Sequence, residues 1–500
     1  GEYRVPNLAV GTYEVQVELA GFQTSIRQGI TLTLGREAVV DFSLQVGNVA
    51  EQVTVTGEAP LIETTSATVG GVVDPQQIRQ IPLNSRSFLE LAPLQAGVTI
   101  TETGERSATK GFGAKLSVSG TRAASHSFLL DGARINDGSD TIGSAAGTLA
   151  GVETVREFRV ITNAYDAEYG RHSGAVVVAV TRGGTNELHG SVFEFLRNDN
   201  FDARNFFDRD PKNPLERSNP PQFARNQFGG ALGGPILQDQ LFFFTSYEAL
   251  RERLGQTKFT DVPGLAMRQG FLRGQFIGVD PNVKPFLDTW PAPSLPDRED
   301  GTAQLVRSES QSTGQDTGTV RIDHQVSDSD SLFGRFNIDR ADVREPQGSG
   351  VNYAQVTTTS SRYATAQLAH IFSPRWLSQT NASYVRTRIL QDRELHQEYS
   401  VPQVSFGANP IIAGQIDVSG LTSWGADDRT PRGSIQNSYQ LRQDLNFTSG
   451  RHTVKFGGNV ERTHFNQSQF TTIGGIFTFG SLADLLRADV QNFQVATPRS

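Results

Sequence analysis

"VRIDHQVSDSDSLFGRFNIDR", residues 320–340, is a pair of alternating segments joined by a short run of small polar residues. In the first, Val320, Ile322, His324 and Val326 interleave with Arg321, Asp323, Gln325 and Ser327; in the second, Leu332, Phe336 and Ile338 interleave with Arg335, Asn337 and Asp339. Successive side chains of a strand point to opposite faces, so each segment has one apolar face and one wet face. The same grammar recurs where Tyr439, Leu441, Leu445 and Phe447 alternate with Gln440, Arg442, Asp444 and Asn446. It recurs again where Val454, Phe456 and Val460 alternate with Lys455, Asn459 and Glu461. A soluble sandwich with its apolar face on a core satisfies this periodicity as well as a barrel with its apolar face in lipid. Connection lengths separate the two. Short turns at 237–240, 327–331, 373–375 and 448–451 alternate with long excursions at 198–225, 250–318, 341–360 and 391–434. Membrane barrels keep that alternation, with tight turns at one rim and extended loops at the other.

Composition agrees with this choice. No apolar run in the 500 residues approaches the ~18 that a membrane helix needs, which excludes a helical membrane protein. Mean hydropathy is only -0.35 because lumen-facing polar residues dilute each spanning strand. A net charge of -8, with no basic stripe carrying interleaved aromatics, gives no nucleic-acid surface. Without cysteine there is no disulfide framework, thiolate metal site or cysteine nucleophile. Residue 1 is Gly, no leader precedes the first strand, and about nine strands are legible before the chain stops in another loop, so the expectation is a barrel cut short by truncation at both ends.

Ahead of the barrel the grammar differs. Residues 1–47 read as short strands around Tyr13, Val15, Val17 and Leu19, then Ile30, Leu32 and Leu34, then Val40, Phe42 and Leu44, punctuated by Gly11, Gly21, Gly29 and Gly35. Residues 48–60 form a linker in which Glu51, Gln52, Val53, Thr54, Val55, Thr56 and Gly57 make an extended β-branched run, suited to lending its backbone edge to another strand or to serving as the last strand of the preceding sheet. Residues 61–185 mix helix and strand. Asp74 is an N-cap with Pro75 in the first turn, Ile78 and Ile81 form a helical face, and Pro82 stops it. A second short helix passes through Phe88, Leu89 and Leu91 and ends at Pro93 and Gly97. Asp131 and Gly132 form a two-residue turn at a hairpin tip, flanked by Leu129, Leu130 and Ile135. The stretch from Val152 to Asn186 resembles the last segment of the plug domain of TonB-dependent receptors, and that resemblance implies a helix and strand carrying Glu153, Val155, Phe158 and Val160 that lead to a turn at Tyr169 and Gly170, to Gly174, and to a strand from Ala175 to Thr181; Gly170 and Gly174 would permit close backbone approach. Residues 186–500 hold the barrel strands.

These motifs carry resemblances. Through Tyr3, Pro6, Leu8, Gly11, Tyr13, Val15, Gly21 and Phe22 the N-terminal stretch resembles the C-terminal part of a carboxypeptidase-regulatory-like β-sandwich, a domain that has no catalytic residues despite its name. "EQVTVTGEAP" resembles the TonB box of TonB-dependent receptors, and "VVDPQQIRQIPLNSRSFLELAPLQAGV", "LSVSGTRAASHSFLLDGARIND" and "VETVREFRVITNAYDAEYGRHSGAVVVAVTRGGTN" resemble the plug domain of that family in the family's order. The chain is thereby identified as similar to the Oar-like subgroup. The resemblance implies a mainly β architecture: a partial N-terminal sandwich, an α+β plug, and the first part of a transmembrane antiparallel barrel that has roughly 22 strands when complete. It also implies the outer membrane of a Gram-negative bacterium, uptake of an unidentified substrate from outside, and pairing of residues 51–57 with the periplasmic energy-coupling protein TonB.

Candidate chemistry is sparse. The eight histidines are scattered without zinc spacing, so no metal or other cofactor is expected. Asp297, Glu299 and Asp300 read as a solvated loop cluster, and residues 208–213 lack the glycine and terminal Glu of a calcium loop. No serine joins a His and an acid as a triad, so no enzyme is expected. Arg321, Asp323, Arg335, Asp339, Arg442, Asp444, Lys455 and Glu461 would each be costly in hydrocarbon, roughly 2–4 kcal/mol for the basic ones at the midplane, and so must face a lumen. There they are expected to pair with one another and with plug residues such as Arg122, Arg156, Glu168 and Arg171. Two rival readings stay open: an adhesin or assembly scaffold with the same barrel, and a secreted enzyme, for which no catalytic cluster is visible.

Overall fold

The N-terminal strands form a small sheet whose third member is not the expected one. The computed structural model describes residues 3, 5, 8, 10–35, 37–47, 52–56, 68–81, 83, 86–101, 115–138, 151–163, 165–201, 222–346, 350–395, 406, 414–426, 429–450, 452–469 and 471–496. Strands β1 (Gly11–Val17) and β2 (Thr24–Leu32) pair antiparallel, with Tyr13 opposite Ile30 and Val17 opposite Ser25. The stretch from Val40 to Leu44 forms no strand; the Tyr3 hydroxyl donates to the Val40 carbonyl at 2.7 Å, and Val46 alone bridges back to Phe22. Instead β3 (Gln52–Thr56) runs parallel to β2, with Thr24 opposite Gln52 and Gln28 opposite Thr56. This sheet therefore takes in a strand from the segment read as a linker, residues 48–60.

Next comes a compact α+β unit. Strand β4 (Val69–Val73) leads into helix α1 (Pro75–Gln80), capped as its sequence requires: the Asp74 carboxylate accepts from the amides of Gln76 and Gln77 at 2.7 and 2.9 Å, and the Gln77 side chain accepts from the Asp74 amide. A 3-10 helix at Phe88–Leu94 contains Pro93 rather than ending at it. Strands β5 (Val98–Thr101), β6 (Lys115–Val118), β7 (Ser127–Leu130), β8 (Ala133–Arg134), β9 (Val155–Asn163) and β10 (Val176–Thr181) follow. Five of the unit's strands form one sheet in the order β4-β9-β10-β7-β8, with β10 and β7 parallel. One face of it buries Val73, Ile78, Phe88, Leu91, Leu116, Phe128, Val155, Phe158 and Val160, with the Phe88 ring edge-on to Phe158 at 5.3 Å. Full burial of each such side chain stabilises by about 1.5–3 kcal/mol. The helix expected around Glu153 is absent: a turn gives way directly to β9, which lies between β4 and β10, so tertiary pairing overrides the local pattern.

The alternating segments form a single antiparallel meander. Strands β11 (His189–Asn198), β12 (Phe223–Leu237) and β13 (Leu241–Pro263) are followed by a connection holding α2 (Leu265–Arg268), β14 (Phe271–Leu272), β15 (Gln275–Phe276) and α3 (Lys284–Thr289). Strands β16 (Thr302–Gln325), β17 (Asp330–Glu345), β18 (Tyr353–Ser373) and β19 (Trp376–Leu395) come next, then β20 (Gln415–Val418) and β21 (Trp424–Gly425) in a second long connection. Strands β22 (Arg432–Ser449) and β23 (His452–Gln469) precede β24 (Ile476–Phe479), α4 (Leu482–Leu486) and β25 (Asn492–Gln494). The nine-stranded sheet has the order β11-β12-β13-β16-β17-β18-β19-β22-β23, each strand beside its sequence neighbour in that series. Its outward face carries Val320, Phe336 and Leu441, the last 53% exposed, while Arg335, Asn337 and Asp339 are buried inside. The alternation therefore has the sense read from the sequence.

The long excursions are shorter than expected, because the strands continue into them. β13 has 23 residues and β16 has 24, whereas crossing a bilayer takes roughly 9–11. Beyond that length the strands carry a second core made of Val262, Leu305, Met267, Leu287, Trp290, Ile416, Trp424, Phe479 and Leu485. This cap gathers the connections on the long-loop rim into one packed body. Within it the Asp297 carboxylate accepts from the amides of Leu265 and Ala266 at 2.8 and 2.7 Å, and Asp300 accepts from Thr302, so two members of that acidic cluster serve as local caps. Residues 208–213 lie outside the described residues.

Candidate functional site

The α+β unit sits inside the barrel sheet, and polar side chains join the two. At the hairpin of β7 and β8, Asp131 and Gly132 have φ of 47° and 80°, the positive angles that a two-residue turn of this type demands. The turn puts the Asp131 carboxylate where four nitrogen and hydroxyl groups of three residues converge. It accepts from the amide and hydroxyl of Thr181 at 2.9 and 2.8 Å, and it pairs with Arg335 Nε at 3.1 Å and an Arg321 terminal nitrogen at 3.4 Å. Arg321 is also paired with Asp323 at 2.7 Å, and Arg335 donates to Asn337 and Thr365. Sequence reading gave Asp131 a turn role only; its charge role could have been sought in the two inward arginines at 321 and 335, which are directly paired across β16 and β17.

Two further groups complete the interface. Glu153 pairs with Arg86 at 3.3 Å and Arg182 at 3.1 Å, and accepts from Ser191 of β11, while Glu248 of β13 lies 3.7 Å from Arg86 and accepts from Gln227. The Arg86 guanidinium lies over the rings of Phe193 and Phe195, 3.9 and 4.9 Å from their centroids. On the opposite flank Glu168 pairs with Arg442 and with Lys455 at 2.7 Å, and Glu461 pairs with Arg134 at 3.2 Å and Arg171 at 2.7 Å. Burial opposes ionisation of Glu168, but Lys455 and Arg442 outweigh it and hold the carboxyl below its ordinary range. The expected inward charges thus meet Glu168 and Arg171 as read, whereas Arg156 is attracted to Glu157 and Tyr13 and meets the inward Arg321 only as a like charge.

Of the two glycines expected to permit close approach, only Gly174 does. A Cβ there would lie 2.6 Å from His126 Nδ1 and 2.7 Å from the Ser125 carbonyl oxygen. Gly170 has open space around it and no positive φ; the left-handed residue of that turn is Arg171, at φ 74°.

Within the candidate coupling segment, Gln52, Val53, Thr54, Val55 and Thr56 are β3, while Glu51 and Gly57 lie outside the described residues. Paired with β2, the segment occupies the position of a last strand in the N-terminal sheet. β3 is terminal in the order β1-β2-β3, and among the described residues no strand pairs with its outer edge. The turn that follows β2 docks on the plug-like unit. The Leu34 amide donates to the Glu157 carboxylate, Arg159 donates to the Gly35 carbonyl at 3.1 Å, and Leu34 packs against the cluster of Ile161, Val176 and Val178.

Burial pushes the Glu157 carboxyl up to about 7 from its ordinary 4.5, more than the Leu34 amide and Arg156 pull it down, with Asp74 adding to the rise. Between those values the folded form holds more protons than the unfolded chain, so the stability this group contributes is fully present below pH 4.5 and is lost as pH rises through about 7, with the Leu34 amide acting against that trend because it favours the carboxylate. Stability to urea, followed by exchange protection of the Val155–Asn163 strand and corrected for intrinsic rate, should fall across that window, and Glu157→Gln should flatten the profile; equal pH dependence in both proteins would contradict this assignment.

Among the described residues, no group of three or more His, Asp and Glu side chains is arranged to hold a metal ion. A family model described as an outer membrane β-barrel domain matches residues 180–500, and one described as a carboxypeptidase regulatory-like domain matches residues 1–45. The TonB-dependent transporter Oar of Myxococcus xanthus is 32% identical over 266 residues, which is 52% of this chain and 24% of that protein. The chain thus spans about a quarter of the length of that relative. Among solved structures, the outer membrane transporter YddB of Escherichia coli superposes with a TM-score of 0.51 at 10% identity, covering 82% of this chain and 50% of that one, a likeness of fold.

Proposed function

The chain belongs to the outer membrane β-barrel family, and from that premise we propose that it serves a TonB-dependent transporter, importing a substrate from outside the cell by energy-coupled opening of its plug. The observation that carries this reading is a folded plug held inside the barrel sheet by separate ion-pair groups around Asp131, Glu153, Glu168 and Glu461. An interface of that chemistry is one that water can enter and re-solvate, so it can be pulled apart and re-formed, as a dry apolar core cannot. Substrate binds between the external cap and the plug apex. TonB then adds a strand to residues 51–57 from the periplasm, and work done on that strand remodels the plug. No bond in the substrate is made or broken.

A second reading, a surface adhesin or assembly scaffold, draws on one observation: the long connections pack into a cap with its own buried core, a ready-made surface for a partner. Deleting TonB separates the two. In cells carrying the full-length receptor, the transporter reading predicts that substrate still binds at the surface and accumulation stops. Accumulation unchanged by the deletion would favour the scaffold.

A further inference from the structure

β3 is held inside a sheet, yet a strand has two edges. Successive residues of a strand turn their backbone N–H and C=O groups to opposite sides, so pairing with β2 occupies only one set of donors in residues 52–56. The other set lies along the outer edge, where an unpaired edge is a template for strand addition. Meanwhile the turn just past β2 meets the plug through Leu34 and Gly35, which contact Glu157 and Arg159 of β9. β9 is the second strand of the plug sheet, paired on both sides by β4 and β10.

We propose that β3 acts without leaving the N-terminal sheet: the TonB strand adds to its outer edge while its inner edge stays paired to β2, and the N-terminal domain carries the pull into plug strand β9. This rests on the reading of residues 51–57 as the coupling segment. It gives the N-terminal domain a mechanical role. Load then has two routes into the plug, along the covalent chain from β3 to β4 and across β2 to the Leu34 and Gly35 contacts. The second is a lateral connection to an interior strand of the plug sheet rather than to its edge strand.

The test uses the absence of native cysteine. Gln28 and Thr56 are directly opposed in the register of β2 and β3, and Gln28 is exposed. In a Gln28→Cys/Thr56→Cys variant, a short bifunctional thiol reagent ties the two strands together. Binding of the purified periplasmic domain of TonB is then measured with and without the bridge, beside each single-cysteine variant treated with the same reagent. The proposal expects affinity within about twofold in the bridged and unbridged proteins, because the outer edge is untouched. A loss of tenfold or more on bridging, with the single-cysteine controls unaffected, would mean that β3 must leave β2, and the proposal falls while the coupling reading stands. A Val53→Pro/Thr54→Pro variant removes one donor from each edge. If it binds TonB normally, the coupling reading itself is wrong and the proposal falls with it. Arg159→Ala adds an independent readout: several-fold weaker uptake with unchanged TonB binding is expected, and unchanged uptake would overturn the lateral route.

Discussion

Asp131→Asn is expected to destabilise the seated plug by about 3–5 kcal/mol, the usual consequence of removing one partner from a buried ion pair and leaving the other charge uncompensated. Arg335 is that other charge: its side chain is fully buried, and Asp131 is the acid against it. The substitution isolates charge from geometry, because Asn tolerates the left-handed backbone at φ 47° and can still accept from Thr181. Urea titration followed by exchange protection of the Ser127–Leu130 strand reads the effect. Arg335→Met alone should cost less, since Asp131 keeps Arg321 and Thr181. The Asp131→Asn/Arg335→Met pair should regain much of the loss. A single-variant cost below about 1 kcal/mol would show that this group is solvated and does not hold the plug.

The second large effect lies on the other side of the same strands. Leu441→Arg in the complete receptor should block membrane assembly, because Leu441 faces outward and an arginine at the bilayer midplane costs roughly 2–4 kcal/mol. Its neighbour faces the plug: Gln440 accepts from the Arg134 amide at 2.9 Å and donates to the Arg134 carbonyl at 2.8 Å. Gln440→Arg should therefore assemble into the membrane while loosening β8. Heat-modifiable migration of the barrel in membrane fractions reports assembly. Equal recovery of both variants would reverse the facing assigned to β22.

These strands were legible in the sequence because lipid and lumen demand opposite residues at alternate positions, so the physics is written with period two at Val320–Ile322 and Tyr439–Leu441. The Asp74 cap and the Asp131–Gly132 turn were legible for a similar reason, since each needs particular residues at adjacent positions. What was not legible depends on contacts distant in sequence. The charge role of Asp131 requires Arg321 and Arg335, which are 190 or more residues away. The continuation of β13 and β16 into a cap is stabilised by Trp290 and Trp424, brought together from separate connections. The parallel placement of β3 beside β2 skips over residues 33–51, and the segment's own β-branched composition fits an edge strand of any sheet.

Direct binding tests coupling through residues 51–57 with the fewest intermediates. Consecutive prolines at Val53 and Thr54 remove a donor from each edge of β3 and restrict the residue ahead of each, whereas Thr54→Ser leaves the backbone unchanged. The measurement is affinity of the purified periplasmic domain of TonB for the full-length receptor and for these variants, at matched folding of plug and barrel. The account predicts a saturable complex with the native receptor and with Thr54→Ser, and its loss by tenfold or more in Val53→Pro/Thr54→Pro. Equal affinity across all three would contradict it.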